Sequence, residues 1–79
     1  MTNLEKYTQA FTTTFNVTPE QAAKLEYQSI KEWDSVGHMQ LIAALEDAFD
    51  IMMDTDDIID LSSFEKGKEI LKKYDVEVK

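Results

Sequence analysis

The sequence predicts an all-α fold, a small four-helix bundle with three longer helices and one short helix. Three observations carry this. Apolar residues recur at helical spacing in three separate stretches, good capping residues stand near helix starts, and no run alternates with the period of two that a half-buried strand needs. At 79 residues the chain is read as one domain, 1–79, near the size at which packing alone sustains a fold. It has no cysteine, so neither a disulfide nor a thiolate metal site is expected to contribute.

Leu4, Tyr7, Phe11 and Phe15 lie on one helical stripe. Thr2 with Glu5 three residues on reads as a capping box that starts this helix. Thr13 and Thr14 are poor helix formers near its end, and Asn16 is the expected stop. Thr18-Pro19-Glu20-Gln21 offers a cap, a proline at the first helical position and a capping-box glutamine, so a short helical turn is expected to run to about Leu25. A connector follows from Glu26 to Trp33.

From Ser35 to Phe49 the pattern is helical and richly apolar, through Val36, Met39, Leu41, Ile42, Ala43, Ala44, Leu45, Ala48 and Phe49. So wide an apolar arc predicts a central helix touching two or more neighbours. Trp33 is expected to pack over its start. Ile51-Met52-Met53 reads as an extended connector. Asp54, Asp56 and Asp57 mark the start of a short helix favoured by its dipole, with Ile58, Ile59 and Leu61 as a buried turn. Ser62 or Ser63 caps the last helix, where Phe64, Gly67, Ile70, Leu71 and Tyr74 keep helical spacing and Lys72 and Lys73 sit at the end that prefers cations.

Charge is distributed unevenly. Residues 34–60 hold eight carboxylates (Asp34, Glu46, Asp47, Asp50, Asp54, Asp56, Asp57, Asp60) and no lysine, whereas the other 52 residues hold eight carboxylates and eight lysines. The net charge of −8 therefore belongs to one third of the chain, which looks like a surface built for a basic partner. There is no arginine, and an acidic chain is a poor ligand for nucleic acid. No stretch is apolar enough to span a membrane, and the N-terminus lacks the pattern of a signal peptide. The expectation is a cytoplasmic protein, monomeric, with no membrane insertion.

Ser35 stands where a loop turns into the central helix. It reads either as an N-cap, a role Asp34 would fill equally well, or as a site of covalent modification, since a phosphodiester there would lie at the positive end of a long helix. Gly37 in the first turn weakens the helix by about 0.5–1 kcal/mol relative to alanine, and is expected to leave open space beside the hydroxyl.

Asp34-Ser35-Val36, the following Leu41, Leu45, Glu46 and Phe49-Asp50-Ile51, and the acidic start of the short helix resemble an acyl carrier protein over essentially the full length. The resemblance implies a four-helix bundle whose Ser35 receives 4′-phosphopantetheine from coenzyme A. A phosphopantetheinyl transferase would attach it with Mg²⁺, aided by Asp34. The terminal thiol of the arm would hold acyl groups as thioesters for delivery between enzymes of a lipid, polyketide or other biosynthetic pathway. On this reading the chain is no enzyme: it has no catalytic residue and binds no metal of its own. Partner enzymes with basic patches would meet Val36, His38, Met39, Glu46, Asp47, Asp50, Asp56 and Asp57. Met39, Ile42, Leu45, Phe49, Ile59 and Leu61 would form the core or a pocket for short acyl chains.

This chain also departs from the family pattern. Val36 replaces the usual leucine but still fills a core position. Gly37 and Gln40 stand where fatty-acid carriers commonly have carboxylates, His38 adds a titratable group, and Asp54 replaces a frequent proline. The first half of the recognition helix is thus nearly uncharged. A specialised carrier follows, with partners unlike those of general fatty-acid synthesis. The alternatives are a peptidyl or aminoacyl carrier, and an unmodified acidic adaptor in which Ser35 is only a cap.

Two other patterns carry less. Ser35 and His38 lie within one helical turn, but no third group is placed to orient the imidazole, and a surface histidine that meets partners or the arm is the expectation. Asp54, Asp56, Asp60 and Glu65 fall at calcium-loop spacing, yet Ile58 and Ile59 occupy a ligand position and the glycine position.

Overall fold

Five helices form within residues 1–78, the part of the chain that the computed structural model describes. They are α1 (Asn3–Phe15), α2 (Pro19–Ala22), α3 (Ser35–Phe49), α4 (Thr55–Asp60) and α5 (Phe64–Lys72). Among the described residues there is no strand, only an isolated antiparallel bridge between Glu26 and Ser63. No helix among them is long and apolar enough to cross a membrane. The expected domain's last residue, Lys79, lies outside the described residues.

Local chemistry sets the helix ends. The Thr2 hydroxyl accepts from the Glu5 N–H at 3.1 Å while the Glu5 carboxylate accepts from the Thr2 N–H at 3.0 Å, and that pairing lowers the Glu5 pKa. Asn16 ends α1 in the left-handed region at φ 55°, a conformation asparagine tolerates better than most residues. Thr18 and Gln21 build a second capping box. α2 then stops at Ala22, short of Leu25, because the Leu25 carbonyl accepts from the Phe64 N–H at 3.0 Å instead of continuing a helix. Ser63, rather than Ser62, caps α5 by accepting from the Lys66 N–H at 3.0 Å.

The core is built on aromatic rings. Tyr7, Phe11, Phe15 and Trp33 are each at most 1% exposed. Phe11 lies 5.6 Å from Trp33 and 4.9 Å from Phe64, centroid to centroid, and Phe15 stacks on Trp33 at 5.2 Å. Such pairs add about 0.5–1.5 kcal/mol each beyond area burial. The Tyr7 hydroxyl donates to the Phe64 carbonyl at 2.6 Å, and burial pushes its pKa up. Gly67 makes room for it: a Cβ there would overlap the Tyr7 hydroxyl oxygen.

Three apolar expectations are corrected. Leu41, Ile42, Leu45 and Leu61 are buried as expected, but Val36 is 66% exposed, Met39 54% and Ile59 72%. None of these three fills the core. α4 has only six residues, and Ile58 and Ile59 point about 100° apart on a helix, so one of them faces out. Val36 and Met39, three residues apart, share a side of α3, and both stay exposed there.

Asp57 is the one buried charged residue in the described core, 5% exposed, so it is not a contact for partners. The Lys73 ammonium donates to its Oδ1 at 2.8 Å and the Tyr74 hydroxyl donates to its Oδ2. The Tyr74 oxygen in turn accepts from the Asp54 N–H at 2.9 Å. This chain of bonds ties α4 to the end of α5. The bonds from Lys73 and Tyr74 hold the Asp57 pKa below its ordinary value, and the same pairing raises that of Lys73. A lowered folded-state pKa means that ionised Asp57 adds stability above the unfolded value, and that this is lost as pH falls through the folded value. Asp57→Asn is expected to lower the urea midpoint at neutral pH, with the gap to wild type closing as pH falls below about 4. Equal gaps at neutral and acid pH would contradict it.

Candidate functional site at the start of α3

Asp34, not Ser35, caps the central helix. Its Oδ1 accepts from the Gly37 N–H at 2.8 Å, and its carbonyl accepts from the His38 N–H at 2.8 Å. Ser35 is therefore the first helical residue. The residue is exposed, and among the described residues the hydroxyl's hydrogen-bond contact is with the Tyr27 hydroxyl, at a long 3.4 Å. A serine at a helix start ordinarily has its oxygen taken up by capping. Here that oxygen is left outward at the positive end of a helix of 15 residues.

Trp33 fixes the approach to this helix. It is fully buried, and its indole Nε1–H donates to His38 Nδ1 at 2.9 Å. The other ring nitrogen, Nε2, lies 2.6 Å from the Ile58 carbonyl oxygen. A carbonyl only accepts, so Nε2 carries the proton and Nδ1 the lone pair. His38 is thus a half-buried cross-link between the connector, α3 and α4. The expectation of a surface histidine is corrected, because both ring nitrogens are committed inside the protein. With its lone pair on Trp33, the imidazole is also not positioned to take a proton from Ser35.

Gly37 serves the same close fit. It is buried, and a Cβ would overlap the Glu32 carbonyl oxygen and lie 3.3 Å from the Phe15 ring. There is no open space beside Ser35 on that side. The glycine lets the connector cross directly over the first turn of α3.

The connector itself is stitched to the α4–α5 junction. The Tyr27 N–H donates to the Ser62 carbonyl at 2.8 Å and the Gln28 N–H to the Trp33 carbonyl at 3.0 Å. Gln28 is left-handed at φ 67°, which closes this turn. The Tyr27 ring sits edge-on to His38 at 5.4 Å. Between Tyr27, His38, Ile59, Leu61 and Ser62 lies a crevice of about 240 Å³.

Of the residues expected to meet partners, Val36, Met39, Asp47, Asp50 and Asp56 are surface residues, while His38 is half-buried and Asp57 buried. Glu46 is half-buried, with its Oε2 accepting from the Met53 N–H at 2.9 Å, so it holds the connector after α3. Asp50 is the left-handed C-cap of α3 at φ 53°. The segment with calcium-loop spacing is largely α4, and a helix cannot wrap a cation with carboxylates spaced for a loop. Among the described residues no group of three or more candidate ligands comes together.

The chain matches no known protein family, no characterised protein and no solved structure.

Asp34, Ser35 and Trp33 stand out in the sequence, whereas the cross-link through His38 does not. The signal was Trp33 and His38 five residues apart across a helix start, two side chains that need polar partners when buried. Nothing local pointed to the Ile58 carbonyl.

The capping geometry separates the two residues. Asp34→Ala is expected to destabilise the protein by about 1 kcal/mol through loss of the cap. Ser35→Ala is expected to change stability by no more than about 0.5 kcal/mol, as for an exposed position with no special role. Urea unfolding measures both, and a larger loss at Ser35 than at Asp34 would reverse the assignment.

Proposed function

We propose that this protein is an acyl carrier protein, with Ser35 as the attachment point for 4′-phosphopantetheine. In this reading α1, α3, α4 and α5 are the four helices of the carrier bundle and α2 is an extra turn in the long connector. The observation that carries it is the division of labour at the start of α3. Asp34 caps the helix, so the Ser35 hydroxyl is exposed and free to be modified.

The residues present fit the group. A phosphodiester on Ser35 would lie against the positive end of α3, worth about 0.3–1 kcal/mol at an exposed position. Asp34 has one oxygen on the Gly37 N–H, and its exposed carboxylate would be the residue of this chain to help hold the Mg²⁺ that accompanies transfer. In the transfer, the Ser35 oxygen bonds to the phosphorus that bears pantetheine and the phosphoanhydride bond breaks. Adenosine 3′,5′-bisphosphate leaves, and the serine proton goes to a base on the transferase. Once bound, the group supplies a thiol that carries acyl groups as thioesters, which this cysteine-free chain cannot do alone.

The surface around Ser35 suits a shuttle. Val36, Met39 and Ile59 are exposed apolar side chains, and Asp47, Asp50, Asp56 and Asp60 form an acidic surround. The apolar residues give a docking patch, and the carboxylates draw it to lysine- and arginine-rich enzymes with fast, salt-sensitive association. The first half of α3 bears no carboxylate, so beyond Asp34 the contact offered along that half, through Val36 and Met39, is apolar. That favours a specialised carrier over one serving general fatty-acid elongation.

Incubating the protein with coenzyme A, Mg²⁺ and a broad-specificity phosphopantetheinyl transferase tests the reading by intact mass. Wild type is expected to gain one arm and folded Ser35→Ala none. No gain on wild type, or an equal gain on the variant, would overturn it. Binding of a basic partner unaffected by Ser35→Ala would instead identify an adaptor.

A further inference from the structure

The chain has three tyrosines, and their hydroxyls are used differently. Tyr7 donates to the Phe64 carbonyl and Tyr74 to the buried Asp57 carboxylate. Tyr27 is exposed, and its hydroxyl faces that of Ser35 at 3.4 Å. Hydroxyls in strong hydrogen bonds lie closer to their acceptors, at about 2.7–2.8 Å. A phenol thus stands beside the candidate modification site in a weak contact between two neutral groups.

The fold holds that phenol in place. The Tyr27 N–H donates to the Ser62 carbonyl at 2.8 Å, next to the bridge between Glu26 and Ser63. The turn around it is closed by Ser29, whose hydroxyl donates to the Glu26 carbonyl at 2.7 Å and accepts from the Glu26 N–H at 3.1 Å. The Tyr27 ring is edge-on to Trp33 at 6.3 Å and to His38 at 5.4 Å, and those two side chains are bonded to each other. A side chain already fixed by backbone and ring contacts loses little further freedom when its hydroxyl takes a new partner.

Modification of Ser35 changes what that hydroxyl meets. The Ser35 oxygen becomes an ester oxygen and loses its proton, and charged phosphoryl oxygens stand just beyond it. A hydrogen bond from a hydroxyl to such an oxygen is shorter and roughly twice as strong as one between neutral groups. The adjacent Asp34 carries an exposed carboxylate, which accepts but does not donate, and which repels a phosphodiester. The ring N–H of His38 is committed to the Ile58 carbonyl. Tyr27 is the side chain in hydrogen-bond contact with Ser35 that can donate.

We infer that Tyr27 is a phosphate anchor: its hydroxyl, held against Ser35 beforehand, donates to the phosphodiester and ties the base of the arm to the connector. The inference rests on the carrier reading. Phenylalanine at this position would keep the ring contacts and lose the anchor.

The test compares the full chain before and after attachment of the arm, verified by mass, using carbon NMR of the tyrosine Cζ atoms. Phosphorus NMR then compares modified wild type with modified Tyr27→Phe. On modification the Tyr27 Cζ resonance is expected to move while those of Tyr7 and Tyr74 stay. In Tyr27→Phe the arm should still be attached, with its phosphorus resonance shifted and narrower as the freed phosphodiester gains motion. An unchanged Trp33 indole resonance shows that the variant keeps the surrounding fold. The wild-type Cζ comparison decides by itself if that variant does not fold. A Tyr27 Cζ resonance unmoved by modification, or a phosphorus signal identical in the two proteins, would overturn this inference while leaving the carrier reading intact. Failure of wild type to accept the arm at all would overturn both.

Discussion

The hydrogen-bonded path from the Trp33 indole through His38 to the Ile58 carbonyl is the constraint on which the rest of the site depends. One imidazole satisfies a buried donor on the connector and an acceptor on α4, two groups that would each cost about 1–3 kcal/mol if left unpaired. Trp33 can then lie flat on Phe15 inside the core, which draws the connector across the first turn of α3. That crossing is why Gly37 has no side chain. It is also why Asp34 reaches the cap position while Ser35 faces out.

Electrostatics divides the acidic third of the chain into two roles. Asp34, Glu46 and Asp57 are structural: a helix cap, a ligand for the Met53 N–H and a buried partner for Lys73 and Tyr74. Asp47, Asp50, Asp54, Asp56 and Asp60 remain at the surface, where their field is long-ranged at low salt and screened beyond about 8 Å at physiological ionic strength. The exposed charge of this third is therefore smaller than the sequence count suggests, since Glu46 is half-buried and Asp57 buried. Next to Ser35 stand the exposed carboxylate of Asp34 on one side and the exposed apolar Val36 on the other, with Met39 exposed further along α3. Charge would bring partners near, and apolar contact would decide which of them fit.

Much of the fold was legible because helix starts carry local chemistry. Thr2 with Glu5, Thr18 with Gln21 and Ser63 act within three residues of themselves, and the range Ser35–Phe49 follows from its apolar pattern and its caps. Burial was less legible. Val36, Met39 and Ile59 look like core by composition, yet which side of α3 or α4 is covered depends on where the other helices lie. Asp57 and His38 misled for the converse reason. Their partners are 16 to 20 residues away, and no short-range pattern announces a bond of that span. At the candidate site, Asp34 and Ser35 stood out as a pair, but only the geometry distinguished the cap from the free hydroxyl.

The start of α3 is held in place by its Asp34 cap and by the bonds of His38 to the connector and α4. The claim beneath that picture is that His38 is a neutral, doubly bonded cross-link. Nitrogen-15 NMR of the histidine ring, with hydrogen exchange of the Trp33 indole proton, tests it directly. At neutral pH the account predicts the proton on Nε2 and an indole proton that exchanges slowly, as a buried bonded donor should. A proton on Nδ1, or an indole proton exchanging as fast as an exposed one, would contradict it.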